Sequence, residues 1–226
     1  MDTVVFVDSQ TIRTFSTDMV LAKINAEVDT AAAKAMAISA YPTLVMLDKD
    51  GAEIDRIVGY MPTADFLKTL TDYKNGIGTL ADLLNKSKTD TTRSLAFQVA
   101  DKYKYRGKAA DASVWYKKVI ATGKTDDSLT GESRMAVADM LRRDKKWDEA
   151  LAEFTSIEKD FKHAPYTFSA DAGIWQAITL SRKGDTTAAI TAYEAFLKNH
   201  PTSEDTSYAK KQIDKLKSPP PPEEKK

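Results

Sequence analysis

The chain has 226 residues, of which 42% are apolar and 29% charged, a composition typical of a globular protein with one large or two modest domains. Lys plus Arg and Asp plus Glu number 33 each, so no net charge favours nucleic acid or an anionic membrane as partner. The sequence contains no cysteine, which excludes disulfides, thiolate metal sites and thiolate nucleophiles among these residues.

No apolar run approaches the roughly 18 residues that a membrane-spanning helix needs. The N-terminus shows no basic segment followed by an apolar one, so no signal peptide is visible in the chain as given. We therefore expect a soluble protein that is cytoplasmic by default. A periplasmic location stays open if the natural chain begins upstream of Met1.

Residues 1–76 mix strand and helix signals, which predicts an α/β domain over this range. Short apolar runs predict strands at Val20–Asn25, Thr43–Leu47 and Ile54–Val58, the last two joined by a turn at Gly51. Helices are expected over Ala31–Ile38 after a cap at Asp29 or Thr30, and from Pro62 to about Tyr73. Composition alone predicts a strand at Val4–Val7, and Asn75–Gly78 ends the domain.

Three features of this region form a recognisable pattern: Tyr41-Pro42-Thr43 before an apolar strand, the hairpin, and Gly59 after the second strand. In this order they resemble the C-terminal part of the thioredoxin family. The resemblance implies a cis bond at Tyr41–Pro42 and a peptide-docking loop formed by Ala40, Tyr41, Pro42 and Thr43. It also implies that Asp2–Ser16 holds the end of a helix and a short second helix near Ser9–Phe15, where composition alone favours a strand at Val4–Val7. The central strand and Cys-x-x-Cys helix of that family are missing, so we expect an incomplete thioredoxin-like fold without redox activity.

Beyond Gly78 the strand signals stop and a helical repeat begins. One series of alanines recurs at spacings of 38 and 39 residues: Ala100, Ala138 and Ala177. A second series, in the second helix of each pair, has the same spacings: Ala112, Ala150 and Ala189. Each alanine of the second series stands four positions before an aromatic residue: Tyr116, Phe154 and Tyr193. This pattern resembles the tetratricopeptide repeat (TPR), a stacked helix–turn–helix unit. We expect three TPR-like pairs in an all-α domain over residues 77–217, with the alanines buried at close helix contacts, followed by a disordered Pro-rich tail over residues 218–226.

A TPR domain binds partners on a concave face lined by first-helix residues. Here that resemblance implies solvent-directed groove positions at Gln98, Asp101, Lys102, Asp139, Arg142 and Gln176. Their mixture of charges and amides favours a polar peptide. The basic and aromatic cluster at Lys102–Lys108 is better explained by helix packing than by nucleic-acid binding.

No catalytic, cofactor-binding or metal site is expected. His163 and His200 have no acidic or histidine partner at ligand spacing, and no glycine-rich phosphate loop occurs. The sequence therefore predicts a protein-interaction module with protein or peptide partners. The alternative is the C-terminal portion of a thiol-disulfide oxidoreductase whose Cys-x-x-Cys lies upstream of Met1.

Overall fold

The computed structural model describes residues 1, 3–124 and 127–218, so the predicted tail beyond residue 218 lies outside the described residues. Helices and a two-stranded sheet follow one another along the chain: α1 Ser9–Asp18, α2 Thr30–Ala35, β1 Thr43–Leu47, β2 Glu53–Val58, α3 Thr63–Lys74, α4 Leu80–Lys86, α5 Arg93–Tyr105, α6 Ala109–Ala121, α7 Ser128–Arg143, α8 Trp147–Asp160, α9 Phe168–Lys183, α10 Thr186–Asn199 and α11 Thr206–Lys217. Two compact units divide within α6, Met1–Trp115 and Tyr116–Lys226. The first unit thus holds the thioredoxin-like segment together with α4 and α5.

The first unit is organised around the β1–β2 hairpin. The strands are antiparallel, Leu44 pairs with Ile57, and Gly51 in the connecting turn has a φ of 83°. One sheet face packs on a core that contains Phe15, Ile57 and Phe66, and the Phe15 and Phe66 rings meet edge to face at 5.9 Å. This apolar face explains why a hairpin that is marginal alone is stable in the unit.

The strand predicted at Val20–Asn25 is wrong, because these residues form no regular structure. Val20 is fully exposed, and Leu21 and Ile24 are more than half exposed. A strand needs a neighbour for its backbone hydrogen bonds, and within the described residues the sheet contains only β1 and β2. Apolar composition alone therefore does not make this segment a strand.

The strand reading of Val4–Val7 is also wrong, since the segment is a turn in which the Val5 and Phe6 amides donate to the Met1 carbonyl. The helix predicted near Ser9–Phe15 is present and extends to Asp18. The Asp29 carboxylate accepts the Ala32 amide at 2.9 Å and caps α2. The Asp8 carboxylate likewise accepts the Gln10 and Thr11 amides, so local capping sets where both helices begin.

The second unit is a stack of helices from α7 to α11 in which each helix contacts the next. The prediction that the repeat alanines are buried is confirmed along the chain: Ala100, Ala112, Ala138, Ala150, Ala177 and Ala189 all have no exposed surface. Gly184 ends α9 in the left-handed conformation with a φ of 91°. A small side chain at each of these positions allows neighbouring helices to approach closely.

A partly buried ion-pair cluster joins α7 to α8. The Arg134 guanidinium donates to Glu153 at 2.6 Å, to Asp160 at 2.7 Å and to the Ser156 hydroxyl at 2.8 Å. Arg134 holds the pKa of Asp160 below its usual range by this hydrogen bond, although partial burial opposes the shift. The cluster places four polar side chains in complementary geometry at the edge of the helical core.

Candidate peptide-binding surfaces

Two hydrogen bonds fix the conformation of the loop that is predicted to dock peptides. The Tyr41–Pro42 peptide bond is cis, as the sequence predicts. The Thr43 hydroxyl donates to the Ala40 carbonyl at 2.7 Å, and the Gly59 amide donates to the Pro42 carbonyl at 2.8 Å. The Tyr41 side chain is exposed beside these bonds. The use of this loop as a docking site stays a prediction.

The groove position predicted at Lys102 is not solvent-directed. Its ammonium group lies 2.8 Å from the fully buried Asp55 carboxylate and 2.6 Å from the Tyr73 hydroxyl. The expectation is wrong because a buried carboxylate on β2 requires a cationic partner, and α5 supplies it. On the same helix Gln98 is exposed, and Asp101 is half-buried with a 2.7 Å ion pair to Lys104.

Arg142 is also buried, contrary to the predicted groove position. It donates through Nε to Asp139 at 3.0 Å and lies over the Trp175 ring, 4.8 Å from the centroid. The aromatic face and the carboxylate stabilise the guanidinium away from solvent. Gln176 is half-buried and donates to Glu158 at 2.6 Å. The six predicted positions are therefore divided between the two units, and most of them make contacts within the fold.

The second unit carries a pocket that the sequence analysis missed. It has a volume of about 280 Å³ and lies between α9 and the start of α11. Aliphatic, aromatic and charged side chains line it: Ile174, Trp175, Ile178, Arg182, Asp205 and Tyr208. Residues 174, 178 and 182 follow at intervals of four and so share one helix face, which is the signal that could have revealed them.

The two charged residues that line this α9–α11 pocket, Arg182 and Asp205, have different electrostatic surroundings. Arg182 is exposed, and no carboxylate of the described residues lies within ion-pair distance of it. Near the pocket, burial raises the pKa of the Asp171 carboxyl and the charge of Asp205 adds to that shift. The Thr167 hydroxyl, which donates to Asp171 at 2.7 Å, and His200 oppose it. An available cation beside aromatic surface can bind a ligand carboxylate.

The described residues contain no group of three or more His, Asp or Glu side chains that could hold a metal ion. No helix among them is long and apolar enough to cross a membrane. The surfaces described above provide hydrogen bonding, aromatic contact and charge.

Comparisons with known proteins agree with this architecture. Residues 4–74 match the thioredoxin-like domain family, and residues 171–203 match the tetratricopeptide repeat family. The chain therefore carries a thioredoxin-like domain followed by TPR-like helices. It is similar to the crystal structure of MamA, with 18% identity and a TM-score of 0.50 over 70% of this chain and 84% of that chain. No curated protein matches the sequence.

Proposed function

We propose that this chain is a protein-interaction module whose second unit binds an extended peptide segment in the α9–α11 pocket. The observation that carries the proposal is the combination of exposed Arg182 with the side chains of Trp175 and Tyr208 in one pocket. Aromatic and arginine side chains are the residues that contribute most to binding energy at protein interfaces.

The shape and chemistry of the pocket favour a peptide with one apolar side chain next to a carboxylate. The apolar group would pack between Ile178 and Tyr208, while Arg182 would pair with the carboxylate. This partner differs from the polar peptide expected for the predicted groove, because Lys102 and Arg142 are engaged inside the fold.

The chain itself performs no thiol chemistry in this proposal, since it has no sulfur nucleophile. The alternative, an oxidoreductase with Cys-x-x-Cys upstream of Met1, stays a prediction. Reading the genomic sequence in frame before Met1 tests it directly.

Selection from a phage-displayed library of random 12-residue peptides tests the binding site. We expect the chain to enrich peptides that pair an apolar residue with an acidic one. Arg182→Glu should abolish the enrichment while the melting temperature stays within about 2 °C, because exposed substitutions rarely change stability much. Tyr208→Ala should also abolish the enrichment but should lower the melting temperature, since the Tyr208 ring packs on buried Tyr193 with 6.4 Å between the ring centroids. Lys198→Glu is a matched control, since Lys198 is also an exposed cation in the last turn of a helix. Equal enrichment by wild type and both pocket variants would move the site elsewhere.

A further inference from the structure

The α9–α11 pocket holds two opposite charges that do not neutralise each other. Arg182 and Asp205 both line it, yet no ion pair joins them or connects either one to another charged side chain of the described residues. The imidazole of His200, which acts electrostatically on nearby Asp171, has its Nε2 3.2 Å from a Glu158 oxygen rather than at Asp205. An acidic side chain weakens binding of a ligand that carries only a carboxylate, because like charges repel. The presence of Asp205 in this pocket therefore needs an explanation.

Capping of the helix does not supply that explanation. Asp205 occupies the N-cap position of α11, but its backbone is helical, with φ −80° and ψ −1°, and its carboxylate accepts no amide of the helix. At the N-cap of α10, by contrast, the Asp185 carboxylate accepts the Ala188 amide at 3.0 Å. An N-cap aspartate stabilises a first turn by such a bond. The Asp205 carboxylate is half-buried in the pocket instead, without a partner there.

The two charges lie toward opposite ends of the pocket. The charge of Asp205 helps to raise the pKa of Asp171, which stands in the first turn of α9, whereas Arg182 stands in the last turn. An α-helix rises about 1.5 Å per residue, so positions 171 and 182 are about 16 Å apart along α9. Apolar and aromatic side chains line the pocket between the charges: Ile174, Trp175, Ile178 and Tyr208.

We propose that the segment bound in the α9–α11 pocket belongs to a partner protein and carries a Lys or Arg for Asp205 as well as a carboxylate for Arg182, one on each side of its apolar residue. This inference rests on the proposed function and adds the charge that sets its specificity. An extended chain advances about 3.3 Å per residue, so 16 Å corresponds to about five residues, and the length of the charged side chains reduces this spacing to about three or four.

The same charges exclude other segments. A segment that is acidic throughout would place a second carboxylate next to Asp205, where it loses solvation and meets a like charge. The chain's own residues 219–226 do not fit either, because their glutamates directly precede their lysines with no apolar residue between them. Asp205 is therefore a specificity-determining residue in this proposal.

The test uses the full chain and four fluorescein-labelled peptides that are blocked at both ends. Two carry both charges around a central leucine, in either order: Ser-Lys-Ser-Leu-Ser-Glu-Ser and Ser-Glu-Ser-Leu-Ser-Lys-Ser. In the other two, glutamine replaces the lysine. Because an extended segment can lie in the pocket in two directions, we expect one of the two orders to show the effect. In fluorescence anisotropy, that lysine peptide should bind about fivefold more tightly than its glutamine form, the upper end for one partly exposed ion pair.

Two variants identify the carboxylate that recognises the lysine. Asp205→Asn should bind the lysine and glutamine forms equally, since it removes the charge and keeps the shape of the side chain. Glu204→Gln is the matched control, because Glu204 is the adjacent carboxylate, is exposed and does not line the pocket; it should keep the fivefold preference. The double-mutant cycle between Asp205 and the peptide lysine separates this pair from a general effect of net charge.

The outcomes distinguish this inference from the proposed function. If wild type binds the lysine and glutamine forms equally while Arg182→Glu binds neither, the pocket recognises only the carboxylate, and this inference is overturned while the proposed function stands. If wild type binds none of the four peptides, or Arg182→Glu binds them as well as wild type does, the proposed function itself is contradicted. A preference that persists in Asp205→Asn overturns the role of Asp205. Displacement of the preferred peptide by equimolar Pro-Pro-Pro-Pro-Glu-Glu-Lys-Lys would assign the pocket to the chain's own residues 219–226 instead of a partner.

Discussion

The buried carboxylate of Asp55 provides the sharpest test of how the hairpin is held in the first unit. It accepts a hydrogen bond from Lys102 Nζ at 2.8 Å and forms an ion pair with Arg106, whose Nη2 lies 3.1 Å from Oδ1. It also accepts the Leu80 amide at 2.7 Å, which fixes the start of α4. Asp55→Asn keeps the shape of the side chain and removes its charge, so it leaves two largely buried cations without their common partner.

We expect Asp55→Asn to lower the free energy of unfolding by about 3 kcal/mol, at the lower end of the cost of breaking a buried ion pair. The lower end applies because both cations keep another contact. Lys102 retains the Tyr73 hydroxyl and ring, and Arg106 retains Glu53 at 3.1 Å. Asp50→Asn is the matched control, since the Lys49–Asp50 pair is exposed and contributes about 0–1 kcal/mol.

Because the chain has two compact units, a single unfolding curve does not isolate this effect. Hydrogen exchange of the β2 amides in the full chain reports on the first unit alone. For Asp55→Asn, an opening free energy lower by about 3 kcal/mol accelerates that exchange roughly 100-fold. Acceleration no larger than that of Asp50→Asn would show that the buried cluster contributes nothing to holding the hairpin, and would refute the reasoning.

Four further predictions concern stability and chemistry. Because the pKa of Asp171 is raised in the folded state, ionisation of this carboxyl opposes folding. Asp171→Asn should therefore raise the melting temperature at pH 7. It should have no effect at a pH low enough to protonate the carboxyl in both the folded and the unfolded state. The pKa of Asp160 is lowered in the folded state, so its carboxylate stabilises the fold fully above the unfolded pKa and loses this effect as the pH falls through the folded pKa. Asp160→Asn should therefore lower the free energy of unfolding more at pH 7 than at pH 2. A Cβ on Gly131 would clash with the Phe168 ring, so Gly131→Ala should lower the free energy of unfolding in urea by about 1–3 kcal/mol, and an unchanged midpoint would contradict that packing. In an insulin-reduction assay with dithiothreitol, the chain should give the rate of a no-protein blank, because a thioether cannot exchange a disulfide.

Much of the fold was predictable because its determinants are local. The alanine period, the cap at Asp29 and the turn at Gly51 each depend on residues within a few positions of one another. The cis bond at Tyr41–Pro42 followed from the resemblance of its surroundings to a known family. Patterns of this kind locate elements and packing faces.

The predicted groove was less accurate because ion pairing is decided over long separations. Lys102 falls on a first-helix position that a repeat would expose, yet it pairs with Asp55, 47 residues earlier. Arg142 likewise lies over Trp175, which belongs to the next pair of helices. Helical periodicity does not show which neighbouring element presents a carboxylate or an aromatic face. The α9–α11 pocket was missed for the same reason, since Asp205 and Tyr208 come from a different helix than Arg182.

The failed strand at Val20–Asn25 has a physical cause that composition does not show. A strand is stable only when its backbone groups find partners, so an apolar run without a neighbour stays irregular. The apolar composition of Val20–Asn25 suits a strand, but the described residues contain no strand that pairs with it, so the prediction from composition was wrong.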